Sequence, residues 1–151
     1  MKRFLKGTGR KTGQIAAALI LAAGLAACVT GPVNIPEELS SAELIQRAQE
    51  ASDRNRYGVA LQYYEALLDR NRTNIDLICT AEYEIAFVHY KQKKYEEAKR
   101  ELNSLLVRYE SPDQELLPQQ FKRLANIVLE RIEEKEKTKD IFGFLPWQWA
   151  R

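Results

Sequence analysis

The feature that most constrains this chain is a self-similarity at an offset of 38 residues. Tyr95-x-x-Ala98-x-x-x-Leu102-x-x-Leu105 repeats Tyr57-x-x-Ala60-x-x-x-Tyr64-x-x-Leu67, and the same offset pairs Ala48 with Ala86 and Leu67-Leu68 with Leu105-Leu106. Apolar residues at three-to-four spacing mark amphipathic helices. An alanine at a fixed place in each copy marks where two antiparallel backbones cross closely. No stretch alternates apolar and polar residues with period two, as a half-buried strand does. The expected fold class is therefore all-α: a short solenoid of about two helical hairpins plus a C-terminal capping helix.

Five helices are expected. Ser40-x-x-Glu43 is a capping box that starts the first, which runs to about Asp53 with Leu44, Ala48 and Ala51 on one stripe; Pro36 offers an alternative, earlier start. The second carries Tyr57, Ala60, Leu61, Tyr64, Leu67 and Leu68. Thr73-x-x-Asp76 starts the third, the fourth spans Tyr95 to Tyr109, and Glu110-Ser111-Pro112-Asp113 ends it. The fifth runs from about Gln114 to Glu136, with Leu117, Phe121, Leu124, Ala125, Val128 and Ile132 on one stripe and Pro118 tolerated in its first turn. The third helix is apolar on two faces, one with Leu77, Ile78, Ala81, Ile85 and Val88, the other with Cys79, Tyr83, Phe87 and Tyr90. Such a helix is central, or lends one face to a ligand.

Ahead of this domain lies a leader. Residues 1–27 hold Lys2, Arg3, Lys6, Arg10 and Lys11 and no acid, so the net +2 of the whole chain hides a remainder of net −3. That mildly acidic remainder argues against nucleic acid as a partner. Ile15 to Ala27 is an uncharged run of 13 residues, shorter than the roughly 20 that cross a bilayer as a helix. It ends in Leu25-Ala26-Ala27-Cys28, which resembles the bacterial lipobox. The resemblance implies that the Cys28 thiol is diacylated, the leader is cut before it and the new amino terminus is acylated. Several acyl chains anchor stably where one does not. Val29 rather than aspartate follows the cysteine, which by resemblance favours the outer membrane, facing the periplasm. The alternatives are an ordinary secretory signal or an uncleaved anchor. The expected organisation is a signal peptide over 1–27, lipidated cysteine and tether over 28–39, helical domain over 40–138 and tail over 139–151.

The repeated pattern, a small residue in the first helix followed by Tyr-x-x-Ala-x-x-x-aromatic in the second, resembles the tetratricopeptide repeat over about residues 41–110, with Leu124-Ala125 marking a third first helix. The chain departs from that family in its 38-residue period, in Ala48 and Ala86 at the usual glycine position, and in lacking tryptophan there. Repeats of this extra length are similar to those of longer envelope-assembly lipoproteins of the BamD family. The resemblance implies a concave groove for a protein partner, lined by Gln49, Ser52 and Asp53 from the first repeat and Thr80, Tyr83, Phe87, Tyr90 and Lys91 from the second. The alternative is that these aromatics pack on the protein's own fifth helix or tail.

Little supports catalysis. His89, the single histidine, stands beside the core stripe and reads as a satisfied, partly buried side chain. Cys28 and Cys79 are too few for a disulfide framework, and Cys79 reads as a small buried group. No metal-ligand spacing, phosphate loop or serine elbow occurs, and no cofactor is expected. The tail Ile141 to Trp149 holds both tryptophans of the chain, and Phe142, Phe144, Trp147 and Trp149 form a candidate contact for the groove, a partner or a membrane interface. These features lead to a non-enzymatic, membrane-anchored adaptor for a protein partner of the cell envelope, small enough to make homo-oligomerisation an expectation. The alternative is a structural or surface-displayed lipoprotein with no peptide groove.

Overall fold

The computed structural model describes residues 31–143, and the side chains of residues 31–138. Cys28 and the tail residues Phe144, Trp147 and Trp149 lie outside the described residues, as does the side chain of Phe142. The described chain is helical, with no strand: α1 (Ser41–Asp53), α2 (Tyr57–Arg70), α3 (Ile75–Lys91), α4 (Tyr95–Arg108) and α5 (Gln119–Gly143), with a short 3₁₀ turn at Gln114–Leu116. Each helix packs on the next, and α5 also returns onto α3, as in a solenoid of helical hairpins.

The two hairpins are built alike. Ala48 and Ala86, Ala60 and Ala98, Leu67 and Leu105, and Tyr64 and Leu102 are all buried. The equivalence extends to the turns. Asn55 and Lys93 both adopt left-handed backbone, with φ of 57° and 62°. Arg56 N–H donates to Ala51 C=O at 2.8 Å and Asn55 N–H to Ser52 C=O at 3.0 Å; in the second hairpin Lys94 N–H donates to His89 C=O at 3.0 Å and Lys93 N–H to Tyr90 C=O at 2.9 Å. This paired 6→1 and 5→2 bonding is a Schellman cap, which satisfies the last carbonyls of the first helix in each hairpin.

Helix α3 serves two cores. Ala81 and Val88 are buried with Leu44, Ala48, Ala60 and Tyr64 of the first hairpin. Cys79, Tyr83 and Ala86 are buried with Ala98, Leu102 and Leu105 of α4 and with Phe121, Ala125, Val128 and Ile132 of α5. The two-faced pattern of the third helix thus marks the central element of the stack.

Several helix ends differ from the sequence expectation. Asn74, not Thr73, caps α3: its side chain accepts the Leu77 N–H at 3.2 Å. Asparagine is the stronger capping residue of the two. The fifth helix does not start at Gln114. Leu117 precedes Pro118 and is held in extended backbone, φ −85° and ψ 147°, because the proline ring disfavours helix before it. The chain therefore makes a separate 3₁₀ turn and begins α5 at Gln119. At its other end α5 continues through the charged run to Gly143. There Lys99 of α4 bonds both carboxylate oxygens of Glu136 at 3.1 and 3.2 Å. Leu124, expected on the core stripe, is 38 % exposed.

The segment before α1 holds no helix, as expected of a tether, yet it is docked. Val33, Ile35 and Leu39 pack on the first core. Arg70, at the end of α2, donates to the carbonyls of Ile35, Pro36, Glu37 and Leu39 at 3.1–3.4 Å.

Candidate functional site

The residues expected to line a groove divide in two. Gln49, Ser52 and Asp53 of α1 meet Phe87 and Lys91 of α3 around one cleft of about 230 Å³. Helical spacing makes this possible: Gln49, Ser52 and Asp53 lie three and four residues apart, as do Phe87 and Lys91, so each set shares one helix face. The Lys91 ammonium ties the walls together. It donates to Ser52 Oγ at 2.9 Å, pairs with Asp53 at 3.5 Å and sits 5.9 Å from the centre of the Phe87 ring. Ser52 is itself buried, so that bond satisfies a hydroxyl removed from water.

The other expected residues lie elsewhere. Tyr83 is only 7 % exposed, with its ring 5.6 Å from Phe121 of α5 and 5.9 Å from Phe87. It is a core residue of the second hairpin and does not line the cleft: α5 covers that part of the face because Phe121 gains more from burial against Tyr83 than either ring would in water. Thr80 turns its hydroxyl back to its own helix, donating to Asp76 C=O at 2.7 Å. Tyr90 stacks against Phe87, meets Tyr95 at a tilt, and lines a separate cleft of about 510 Å³ with Arg131, Glu134, Lys135 and Thr138 of α5. The alternative of aromatics packed on the fifth helix holds for Tyr83, while Phe87 bridges both settings.

Two residues of the α1–α3 cleft were missed from the sequence, Tyr64 and Glu84. Tyr64 fits the repeated core pattern and reads as pure packing. Its side chain is fully buried, and its hydroxyl faces the Glu84 carboxylate, whose ionised form it favours, outside ideal hydrogen-bond geometry. Burial pushes the Glu84 carboxyl above its ordinary range, against the pull of Tyr64 and Lys91, and burial likewise raises the Tyr64 phenol. Glu84 is one of two glutamates, with Glu82, in the mainly apolar stretch Ile78 to Val88, a signal that the sequence did carry.

His89 is half-buried, with Nδ1 2.7 Å from Glu101 of α4, the satisfied histidine expected. Cys79 is buried in the second core, and burial raises its thiol pKa. A third cleft, of about 430 Å³, is lined by α1, α2 and the turn between them, including Arg47, Arg54 and Arg56 and the acids Glu43 and Glu50. No described helix is long and apolar enough to cross a membrane.

Compared with known proteins, the chain is 34 % identical over 130 residues to an uncharacterized protein of Treponema pallidum (strain Nichols). The match takes in 85 % of this chain but 52 % of the relative, so the chain spans about half the length of that protein. No protein-family model and no solved structure matches it.

Proposed function

We propose that this chain is a non-catalytic envelope lipoprotein, held to the membrane through Cys28, that uses tetratricopeptide-like hairpins to grip a protein partner. The observation that carries the reading is the cleft between α1 and α3, where Gln49, Ser52, Asp53, Phe87 and Lys91 converge. These are the positions at which the repeat family, by resemblance, meets its partners. The lipobox-like Leu25-Ala26-Ala27-Cys28 after an uncharged run supports the anchor and, with Val29 behind it, the outer membrane. The burial of Tyr83 under α5 favours the second reading, a structural or surface-displayed lipoprotein without a peptide groove, because it removes part of the expected lining.

Photo-crosslinking in cells separates the two. A photoreactive residue at Gln49, exposed on the cleft rim, is expected to capture an envelope protein that the same group at the exposed Arg100 does not. Recovery of lipid and self-adducts alone from both positions would leave the adaptor reading without content. Radiolabelled palmitate incorporation that survives Cys28→Ala would remove the anchor.

A further inference from the structure

The outer side of α5 repeats a surface that is filled elsewhere in the chain. On α3, Glu82 pairs with Arg108 of α4 at 2.6 Å, His89 Nδ1 lies 2.7 Å from Glu101 of α4, and Ala86 is buried with Ala98 and Leu102. These three residues mark the face of α3 that seats the second helix of its hairpin. The residues 38 positions further on are Gln120, Leu124 and Ile127 of α5, and all three are exposed, the apolar two to 38 % and 42 %. Helix α5 buries a different face, Phe121, Ala125, Val128 and Ile132, against α3 and α4. Among the described residues no element covers the side that carries Leu124 and Ile127.

The pattern of that side selects its occupant. Gln120, Leu124, Ile127, Arg131, Glu134 and Thr138 recur at alternating steps of four and three, the spacing of a two-helix seam, and all six are exposed. Arg123 and Glu130 flank the seam and are also exposed. They stand two turns and about 10 Å apart, beyond the i,i+3 and i,i+4 reach of pairing within one helix. A second α5 laid parallel and in register would set Arg131 on Arg131 and Glu134 on Glu134. Laid antiparallel, with Leu124 opposite the partner's Ile127, it sets Arg123 beside the partner's Glu130 and Gln120 beside the partner's Arg131. Charges flanking such a seam decide orientation, and twofold symmetry makes each contact twice. Antiparallel is also the direction in which a helical hairpin seats its second helix.

We infer that α5 is a self-association surface: two copies of this chain pair their α5 helices antiparallel, with Leu124 and Ile127 as the apolar centre and Arg123 against the partner's Glu130 as the orienting ion pair. Each α5 then takes, for the other copy, the place that α4 takes for α3. The inference stands on α5 and does not depend on the α1–α3 cleft or on a different protein bound there. With two apolar residues from each copy the seam is short, so the pairing is reversible and belongs with contacts smaller than ~1,200 Å².

The test is photo-crosslinking of the full chain, in micelles of an uncharged detergent and in cells, with the photoreactive residue at Gln120. The expected product has twice the mass of the chain, joins Gln120 to the partner's α5 near Arg131, and does not form when the group stands at the exposed Arg100. Arg123→Glu and Glu130→Arg are each expected to lower its yield about fivefold, because each turns two attractive contacts into repulsive ones. The chain carrying both substitutions is expected to regain most of the yield, with circular dichroism unchanged in all three variants. Rescue across two residues that do not meet within one helix requires contact between copies. No dimeric product, a product of single-chain mass joined to residues 144–151, adducts in cells with a different protein alone, equal dimer yields from Gln120 and Arg100, or a doubly substituted chain no better than either single one would each overturn the assignment. None of these outcomes bears on capture of a partner at Gln49, so the adaptor reading stands or falls separately.

Discussion

Lys93 holds in the second hairpin the left-handed backbone position that Asn55 holds in the first, with φ of 62° against 57°. Asparagine tolerates this conformation, whereas a lysine Cβ crowds the following carbonyl at a cost of about 1–2 kcal/mol. Glycine relieves that crowding but adds freedom to the unfolded chain. Lys93→Gly is therefore expected to raise stability by about 0.5–1 kcal/mol, and Asn55→Gly to change it by a few tenths at most. Urea midpoints of the two variants test this; equal effects would show that the αL requirement is not what distinguishes the two turns.

Tyr83 belongs to the core rather than to a partner surface. Tyr83→Ala and Phe121→Ala are each expected to cost about 3–5 kcal/mol, with a coupling of about 0.5–1.5 kcal/mol between the rings in a double-mutant cycle. Phe87→Ala, at a half-buried position, is expected to cost clearly less. A Tyr83→Ala protein that melted like the parent would return Tyr83 to the accessible face.

Ala60 and Ala98 mark the close crossings of the two hairpins, and both are fully buried. Ala98→Leu forces extra volume between α3 and α4 and is expected to destabilise by about 1–3 kcal/mol, as overpacking does. At Arg100, exposed on the same helix, substitution by leucine is expected to stay within about 0.5 kcal/mol. Thermal melts of the pair check the contrast.

Stability should fall at alkaline pH. Burial pushes the phenols of Tyr83 and Tyr109 up to about 12, from the ordinary 10.0. The folded state holds these protons more tightly than the unfolded state, so their contribution is whole below pH 10 and is lost as pH climbs through about 12. The urea midpoint is expected to decline across that window, with tyrosinate absorbance rising late. Early ionisation of every tyrosine at its ordinary pKa, in a chain still helical by circular dichroism, would contradict the burial of both rings.

The Arg70 guanidinium reaches four backbone carbonyls of the segment before α1, from Ile35 to Leu39. Arg70→Met removes those donors while keeping the apolar stem. Amide exchange at residues 33–39 is expected to quicken at least tenfold, with global stability lower by about 1–2 kcal/mol. Exchange unchanged across the segment would mean that Val33, Ile35 and Leu39 hold it by apolar contact alone.

Much of the architecture was legible in the chain itself. Spacing of apolar residues and the 38-residue offset determine five helices, the pairing of Ala48 with Ala86 and Ala60 with Ala98, and the two-faced character of α3, because helix periodicity is a local property. The cap at Asn74 and the break before Pro118 differ from the sequence expectation for equally local reasons: neighbouring residues compete for one cap, and a proline acts on the residue before it. Tertiary structure alone decided what each face meets. Whether Tyr83 saw solvent or Phe121 depended on where α5 returned, and the meeting of Tyr64 and Glu84 with Asp53 and Lys91 depended on three helices at once. Local pattern says which side of a helix is apolar; only packing determines which buried groups meet, as the buried Ser52 hydroxyl meets the Lys91 ammonium 39 residues away.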